Sequence, residues 1–249
     1  MRLLLGNGAM QKMSLYIELL GPPGVGKSTT RRELAPFIEG AVFFNGLGLS
    51  RRVYARLLWR SLRSRDRRKR FITLFWYLWQ KRSAGVRYAV RRAAYITGVA
   101  ASSELDRGNT FSDEGPVNYL VNVGGYGSEW AQFERVLLPE NGSVISFYVY
   151  LQASETVIQE RLKRRGHSRK KRERRTGKEG VSEAMRHEGR LYWLERLQAA
   201  GANTLVVETD NRSAGEVAQS VKDFIQRVLS DAGVPKPAPP NGRRVRANR

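Results

Sequence analysis

Gly21-Pro22-Pro23-Gly24-Val25-Gly26-Lys27-Ser28 matches the phosphate-binding loop pattern G-x-x-x-x-G-K-[ST], which chance would place in about one chain of this length in a hundred. Its flanks supply the required context. Leu15-Tyr16-Ile17-Glu18-Leu19-Leu20 reads as a short buried strand, and Thr29 to Ile38 as a helix with Leu34, Phe37 and Ile38 on one face. Glycines let backbone N–H groups curl around phosphate oxygens, and a helix N-terminus adds free N–H groups and the positive end of its dipole. In this reading residues 21–29 cradle a nucleoside triphosphate, with Lys27 reaching the β- and γ-phosphates and Ser28 ligating Mg²⁺.

Composition sets outer bounds. The chain has 249 residues, enough for one full α/β core and cramped for two. Its 44 Lys+Arg against 23 Asp+Glu give a net charge of +21, a field that favours nucleotides, nucleic acid or an anionic membrane surface. Without cysteine there are no disulfides and no thiolate metal sites. His167 and His187 stand in charged sequence without metal-ligand spacing and are expected to be solvated. The opening Leu3-Leu4-Leu5 is too short for a signal peptide, and no segment has the apolar length of a spanning helix, so a cytoplasmic location is expected.

Along the chain, strand patterns alternate with helical ones. Strands are expected at 41–44, 109–113, 143–151 and 204–208, and helices from about 116, at 129–138, 155–163 and 182–198. A final helix is signalled by the Ser213/Glu216 capping box and by Val217, Val221, Phe224, Ile225, Val228 and Leu229 on one face. This pattern predicts a three-layer α/β fold around a mostly parallel sheet. Residues 1–12 read as an extension, 13–231 as the domain, and 232–249 as a basic tail without a core.

Two further stretches carry chemistry. Phe111-Ser112-Asp113-Glu114-Gly115-Pro116 ends the third strand of the pattern, where a carboxylate can hold the Mg²⁺ shell or accept a substrate hydroxyl proton. Glu160-Arg161-Leu162-Lys163-Arg164-Arg165-Gly166 opens a basic run lying between a strong strand and a helix. With the loop at 21–28 and the R-G-x-x-F-x-D pattern at 107–113, it makes the chain resemble P-loop kinases of the thymidylate and nucleoside kinase group. The resemblance covers roughly half of the sequence. It implies an ATP- and Mg²⁺-dependent kinase with a mobile lid at about 164–181. It further implies that Arg161, Arg164 and Arg165 clamp the transferring phosphoryl group or stack on adenine, and that residues around Asp210 and Asn211 border the base. One position departs from the pattern: thymidylate kinases usually carry Asp-Arg after the third strand, whereas here Asp113 is followed by Glu114. An acidic residue there suits a neutral hydroxyl acceptor better than a phosphate.

An insert at about 47–104 lies outside the resemblance. Between Arg51 and Arg92 it holds fifteen Lys/Arg and one acid, Asp66, interleaved with Tyr54, Trp59, Phe71, Phe75, Trp76 and Trp79. Three readings stay open: a helical subdomain over the acceptor site, an amphipathic surface for an anionic bilayer, or a stacking surface for single-stranded nucleic acid. The function expected is γ-phosphoryl transfer to a small-molecule acceptor, nucleoside- or nucleotide-like or a hydroxyl compound. The alternative is a nucleic-acid or membrane-binding module using ATP as a regulatory ligand, including a 5′-hydroxyl polynucleotide kinase variant.

Overall fold

The computed structural model describes residues 2–4, 10–12, 14–38, 41–44, 51–81, 86–100, 109–138, 144–164 and 181–232. Strands β1 (Arg2–Leu4) and β2 (Met10–Lys12) pair antiparallel with each other and lie outside the ladder of the main sheet. That sheet has five parallel strands in the order β4-β5-β3-β6-β7, with β3 Ser14–Leu20, β4 Val42–Phe44, β5 Thr110–Ser112, β6 Val144–Gln152 and β7 Asn203–Glu208. The central pair β3–β6 runs in register from Ser14↔Val144 to Leu20↔Tyr150. Every residue of β3 is buried, as expected for a parallel strand covered on both faces.

The two-residue period of these strands divides the interior in two. Leu15, Ile17 and Leu19 of β3 join Phe147, Val149 and Leu151 of β6 on one face. That face is covered by α1 (Lys27–Leu34) and by α9 (Ala214–Asp231), which buries Val217, Val221, Ile225 and Leu229. Ser213 and Glu216 form the expected capping box at its start. The opposite face presents Tyr16, Leu20, Tyr148 and Tyr150 to a larger, ring-rich cluster. Over it lie α2 (Arg51–Leu62), α3 (Arg65–Lys81), α4 (Val86–Ala100), α5 (Pro116–Asn122), α6 (Glu134–Leu137) and α8 (Glu183–Ala199). Helix α7 (Glu155–Arg164) follows β6 directly.

Several boundaries differ from expectation. Helix α1 starts at Lys27 and its C-cap is Ala35, because Pro36 cannot donate the next helical N–H. Residues 129–138 are not one helix: a 3₁₀ turn, Ser128–Phe133, leads into the short α6. Trp130 and Phe133 of that turn are buried against Tyr77 of α3, with ring centroids 4.4 and 5.3 Å away. Residues 165–180 of the expected lid (about 164–181) and 233–249 of the basic tail lie outside the described residues, as does His167.

Helices α2 and α4 cross where Gly98 lies on the Leu57 backbone. A Cβ added there would fall 2.7 Å from the Leu57 carbonyl oxygen. Gly98→Ala is therefore expected to lower stability by about 1–3 kcal/mol despite its better helix propensity. Gly215→Ala, in the open first turn of α9, should be neutral or stabilising by up to about 1 kcal/mol. Urea-denaturation midpoints of the two variants against the parent check both expectations.

Candidate active site

The loop 21–28 leaves the carboxyl end of β3 and enters α1. From β3 the chain crosses to β4 on one side of the sheet, and from β6 it crosses to β7 on the other. The loop therefore sits at a topological switch point, where open α/β sheets bind ligands. Two features fix its path. A Cβ on Gly24, at φ +92°, would lie 2.9 Å from Cγ of Leu162, so the loop packs tightly on α7. Gly26 takes φ +112° as the N-cap of α1, with open space where a Cβ would be. The first helical N–H groups, including those of Lys27 and Ser28, then have no intrahelical acceptor. N–H groups left free in this way at a helix N-terminus are suited to an anion.

Lys27 Nζ donates to the loop's own carbonyls, Gly21 O at 2.6 Å and Pro22 O at 3.0 Å. Burial, and then the neighbouring Arg190 cation, bring its pKa down to about 8 against the opposing pull of Glu114, Asp113 and Glu183. Asp113, just past β5, is 3% exposed. Its Oδ2 accepts from Ser28 Oγ at 3.2 Å and pairs with Arg31 at 3.2 Å. Its Oδ1 is buried with no hydrogen-bond partner among the described residues. A buried carboxylate oxygen without a donor, beside a serine hydroxyl at the loop, is a donor set suited to a hard cation. Among the described residues no cluster of three or more acidic or histidine side chains forms a cage. Mg²⁺ needs none, since it uses one or two protein oxygens together with phosphates and water.

Glu114 is half-buried, its backbone carbonyl accepts from the Tyr95 hydroxyl at 2.7 Å, and its charge acts on Lys27. The Asp113-Glu114-Gly115 turn is held from below by Glu18, which is fully buried on β3. Glu18 accepts from Asn118 N at 3.1 Å and from the Tyr16 hydroxyl at 2.8 Å. It thus caps the N-terminus of α5 from another element, and a side chain at Gly115 would collide with its carboxyl group.

The basic residues are distributed differently from the expectation. Arg161 donates to Val25 O at 3.0 Å, Thr209 Oγ1 at 3.0 Å and Thr209 O at 2.8 Å. In this arrangement it tethers α7 to the loop and to the end of β7. Arg164 pairs with Glu160 at 2.7 Å on the exposed side of α7, and Arg165 lies outside the described residues. Asp210 accepts from Ser154 N with both carboxylate oxygens, at 3.1 and 3.0 Å, and Asn211 takes φ +55° in the following turn. Asp210 thereby braces the β6–α7 junction from the end of β7.

The sequence reading passed over two buried arginines on α8. Arg190 donates to Glu183 at 2.8 Å, and Arg186 lies 3.6 Å from the same carboxylate. Arg190 stands over the Tyr150 ring at 5.9 Å, at the carboxyl end of β6, and its Nε is buried without a partner among the described residues. Its cation is one of the charges that lower the Lys27 pKa. The signal was present as Glu183, Arg186 and Arg190, spaced i, i+3, i+7 on one helical face, but it sat beside a far denser run of arginines. His187, expected to be solvated, is exposed yet shares a 2.6 Å hydrogen bond with the Tyr150 hydroxyl.

No protein-family model matches the sequence, and no curated protein matches it. The fold is similar to thymidylate kinase from Candida albicans, with TM-score 0.49 and 11% identity over 89% of this chain and 93% of that one. It is also similar to deoxyadenosine kinase from M. mycoides (TM-score 0.43, 14% identity, 86% and 99% covered). A third similar structure is shikimate kinase from Acinetobacter baumannii (TM-score 0.39, 16% identity, 88% and 94% covered). This chain's own loop leaves the central strand of a parallel sheet and caps a helix, the strand–loop–helix arrangement of a P-loop fold.

Burial raises the pKa of Glu18 to about 8 against the pull of its hydrogen bonds to Asn118, Tyr16 and Val117. In the unfolded chain the group ionises near its ordinary value, so between that pH and 8 the folded state holds more protons and stability falls as pH rises. The urea midpoint of the parent should therefore drop from pH 5 to pH 8. Glu18→Gln, which keeps the shape and removes the titration, should flatten that slope.

Proposed function

We propose that this protein is a kinase that transfers the γ-phosphoryl group of ATP, with Mg²⁺, to a hydroxyl-bearing small molecule. One observation carries the reading: a phosphate-binding loop with a buried carboxylate on the neighbouring strand, in contact with the loop's serine and left with an unpaired oxygen. Kinase folds of low identity and the same layered architecture are consistent with it.

In this mechanism the loop N–H groups and the N-terminus of α1 hold the triphosphate. Lys27 leaves the Gly21 and Pro22 carbonyls for the β/γ oxygens. Ser28 and Asp113 would hold Mg²⁺, which when bound neutralises charge on the β- and γ-phosphates. Arg190 offsets the negative charge of the transferring group, and Arg164 and Arg165 join it once Arg164 leaves Glu160. The acceptor oxygen attacks phosphorus in line, the bond to the β,γ-bridging oxygen breaks, and ADP departs. Asp113 is already engaged by Arg31 and Ser28, so Glu114 takes the hydroxyl proton. Its negative charge disfavours a phosphate acceptor at the same place.

An acceptor screen by ADP release, covering nucleosides, nucleotides, sugars, polyprenols and 5′-hydroxyl oligonucleotides, tests the reading. A protein that used ATP only as a regulatory ligand would show no acceptor-dependent turnover. With an acceptor found, Lys27→Ala should cut turnover by roughly 10²–10³ in a folded protein. Asp113→Asn should raise the Mg²⁺ concentration needed for half-maximal rate. Glu114→Gln should lower kcat while ATP affinity stays near the parent's. Parent-like kinetics in all three variants would refute the assignment.

A further inference from the structure

Helices α2 and α3 both pack against α4. Their inward sides are accounted for: Leu57 on α2 and Phe71, Leu74 and Leu78 on α3 belong to the large core cluster, and Tyr77 closes on Trp130. Their outer sides have a composition that packing does not explain. On α3, Arg65, Arg68, Lys69, Ile72, Trp76 and Trp79 recur at helical spacing, and all six are exposed. Trp76 is 47% exposed and Trp79 40%. The three rings of Phe75, Trp76 and Trp79 touch one another, with Trp76 and Trp79 centroids 4.8 Å apart. On α2 the same spacing brings out Arg52, Arg56 and Trp59, with Arg63 just past its end. Trp59 is 60% exposed beneath the Arg63 guanidinium at 5.2 Å. Leu62 and, at the start of α4, Val86 add exposed aliphatic surface.

A buried face explains large apolar side chains, and a solvated face explains cations, but neither explains three tryptophans standing in water among arginines. Tryptophan is enriched where one end of a side chain is apolar and the other wet, at the boundary of a bilayer. We propose that the outer face of the α2–α3 hairpin docks on an anionic phospholipid bilayer. Trp59, Trp76 and Trp79 then enter the headgroup–acyl boundary, with Arg52, Arg56, Arg63, Arg65, Arg68 and Lys69 on the lipid phosphates. Two observations select lipid over single-stranded nucleic acid. The exposed side chains of these helices include Ile72, Leu62 and Val86, which give an acyl chain apolar area and give a base nothing to stack on. The charge is also one-sided: Asp66 is the sole acid from Arg51 to Arg92, which suits a surface of uniformly negative headgroups. No described helix is long and apolar enough to cross a membrane, so the contact is interfacial. The proposal stands independently of the kinase reading.

The test uses the whole protein and sedimentation with two kinds of vesicle, phosphatidylcholine alone and phosphatidylcholine mixed with phosphatidylglycerol. The mixed vesicles should bind at least about tenfold better, and added salt should weaken that binding. Replacing both Trp76 and Trp79 by serine should weaken binding to mixed vesicles about tenfold without changing the thermal midpoint, because both rings are substantially exposed. Should the double variant fold poorly, the parent alone decides: lipids brominated along their acyl chains should quench its tryptophan fluorescence. Equal binding to both vesicle types, or parent-like vesicle binding by a folded double variant, would overturn the proposal. So would an absence of quenching, or tighter binding of a single-stranded oligonucleotide than of mixed vesicles at the same salt.

Discussion

The guanidinium group of Arg161 joins the carbonyl of Val25, 136 residues away, to Thr209, 48 residues away. Three segments remote in sequence thereby acquire one fixed geometry: the phosphate loop, the helix after the fourth strand of the main sheet, and the end of its last strand. The loop cannot hold its curved path alone, because its glycines bring no side chains to pack. It is shaped from outside, by Leu162 pressed on Gly24 and by this fork of donors. Such a planar, bidentate arrangement is what arginine supplies and lysine cannot. The same reasoning separates Arg161 from Arg164, which pairs with Glu160 about one helical turn back on the exposed side of the same helix.

The sheet divides labour between its faces. One is apolar throughout and closes on α1 and α9. The other carries Tyr16, Glu18, Tyr148 and Tyr150, whose polar ends need partners when buried. Those partners are elements of the site's surroundings. Glu18 fastens the start of α5 beneath the Asp113-Glu114 turn, the Tyr148 hydroxyl donates to Leu137 O at 2.7 Å, and Tyr150 meets His187 beside Arg190. A core of this kind specifies position more than it adds stability.

Much of this was legible in the chain. The loop, its strand and its helix declare themselves through a pattern with few alternatives, and β6 does so through β-branched and aromatic density. The Ser213/Glu216 box marks the start of α9 because capping is local chemistry, settled within four residues. What escaped the reading is tertiary. Glu18 looked like one polar residue in an apolar strand, and its role appears only once Gly115 and Asn118 are laid against it. Arg190 was one arginine among many, and its importance comes from the end of β6 beneath it. Arg161 was read by its place in a motif, whereas its hydrogen bonds are set by a threonine on the far side of the sheet. The 129–138 segment reads as helix by pattern, and the burial of Trp130 and Phe133 tightens its first part into a 3₁₀ turn.

The hydrogen bonds of Lys27 to Gly21 and Pro22 have a thermodynamic consequence. The loop carries an internal substitute for part of its ligand, since its lysine already rests on oxygen atoms of the same loop. In the proposed kinase a triphosphate would have to displace that internal partnership, so its affinity would be the difference between two sets of charge-assisted bonds and not the strength of one. A lysine held near pKa 8 by burial and by Arg190 would be drawn back to full protonation by the polyanion. In the proposed kinase, nucleotide capture in mildly alkaline solution would therefore also be proton capture.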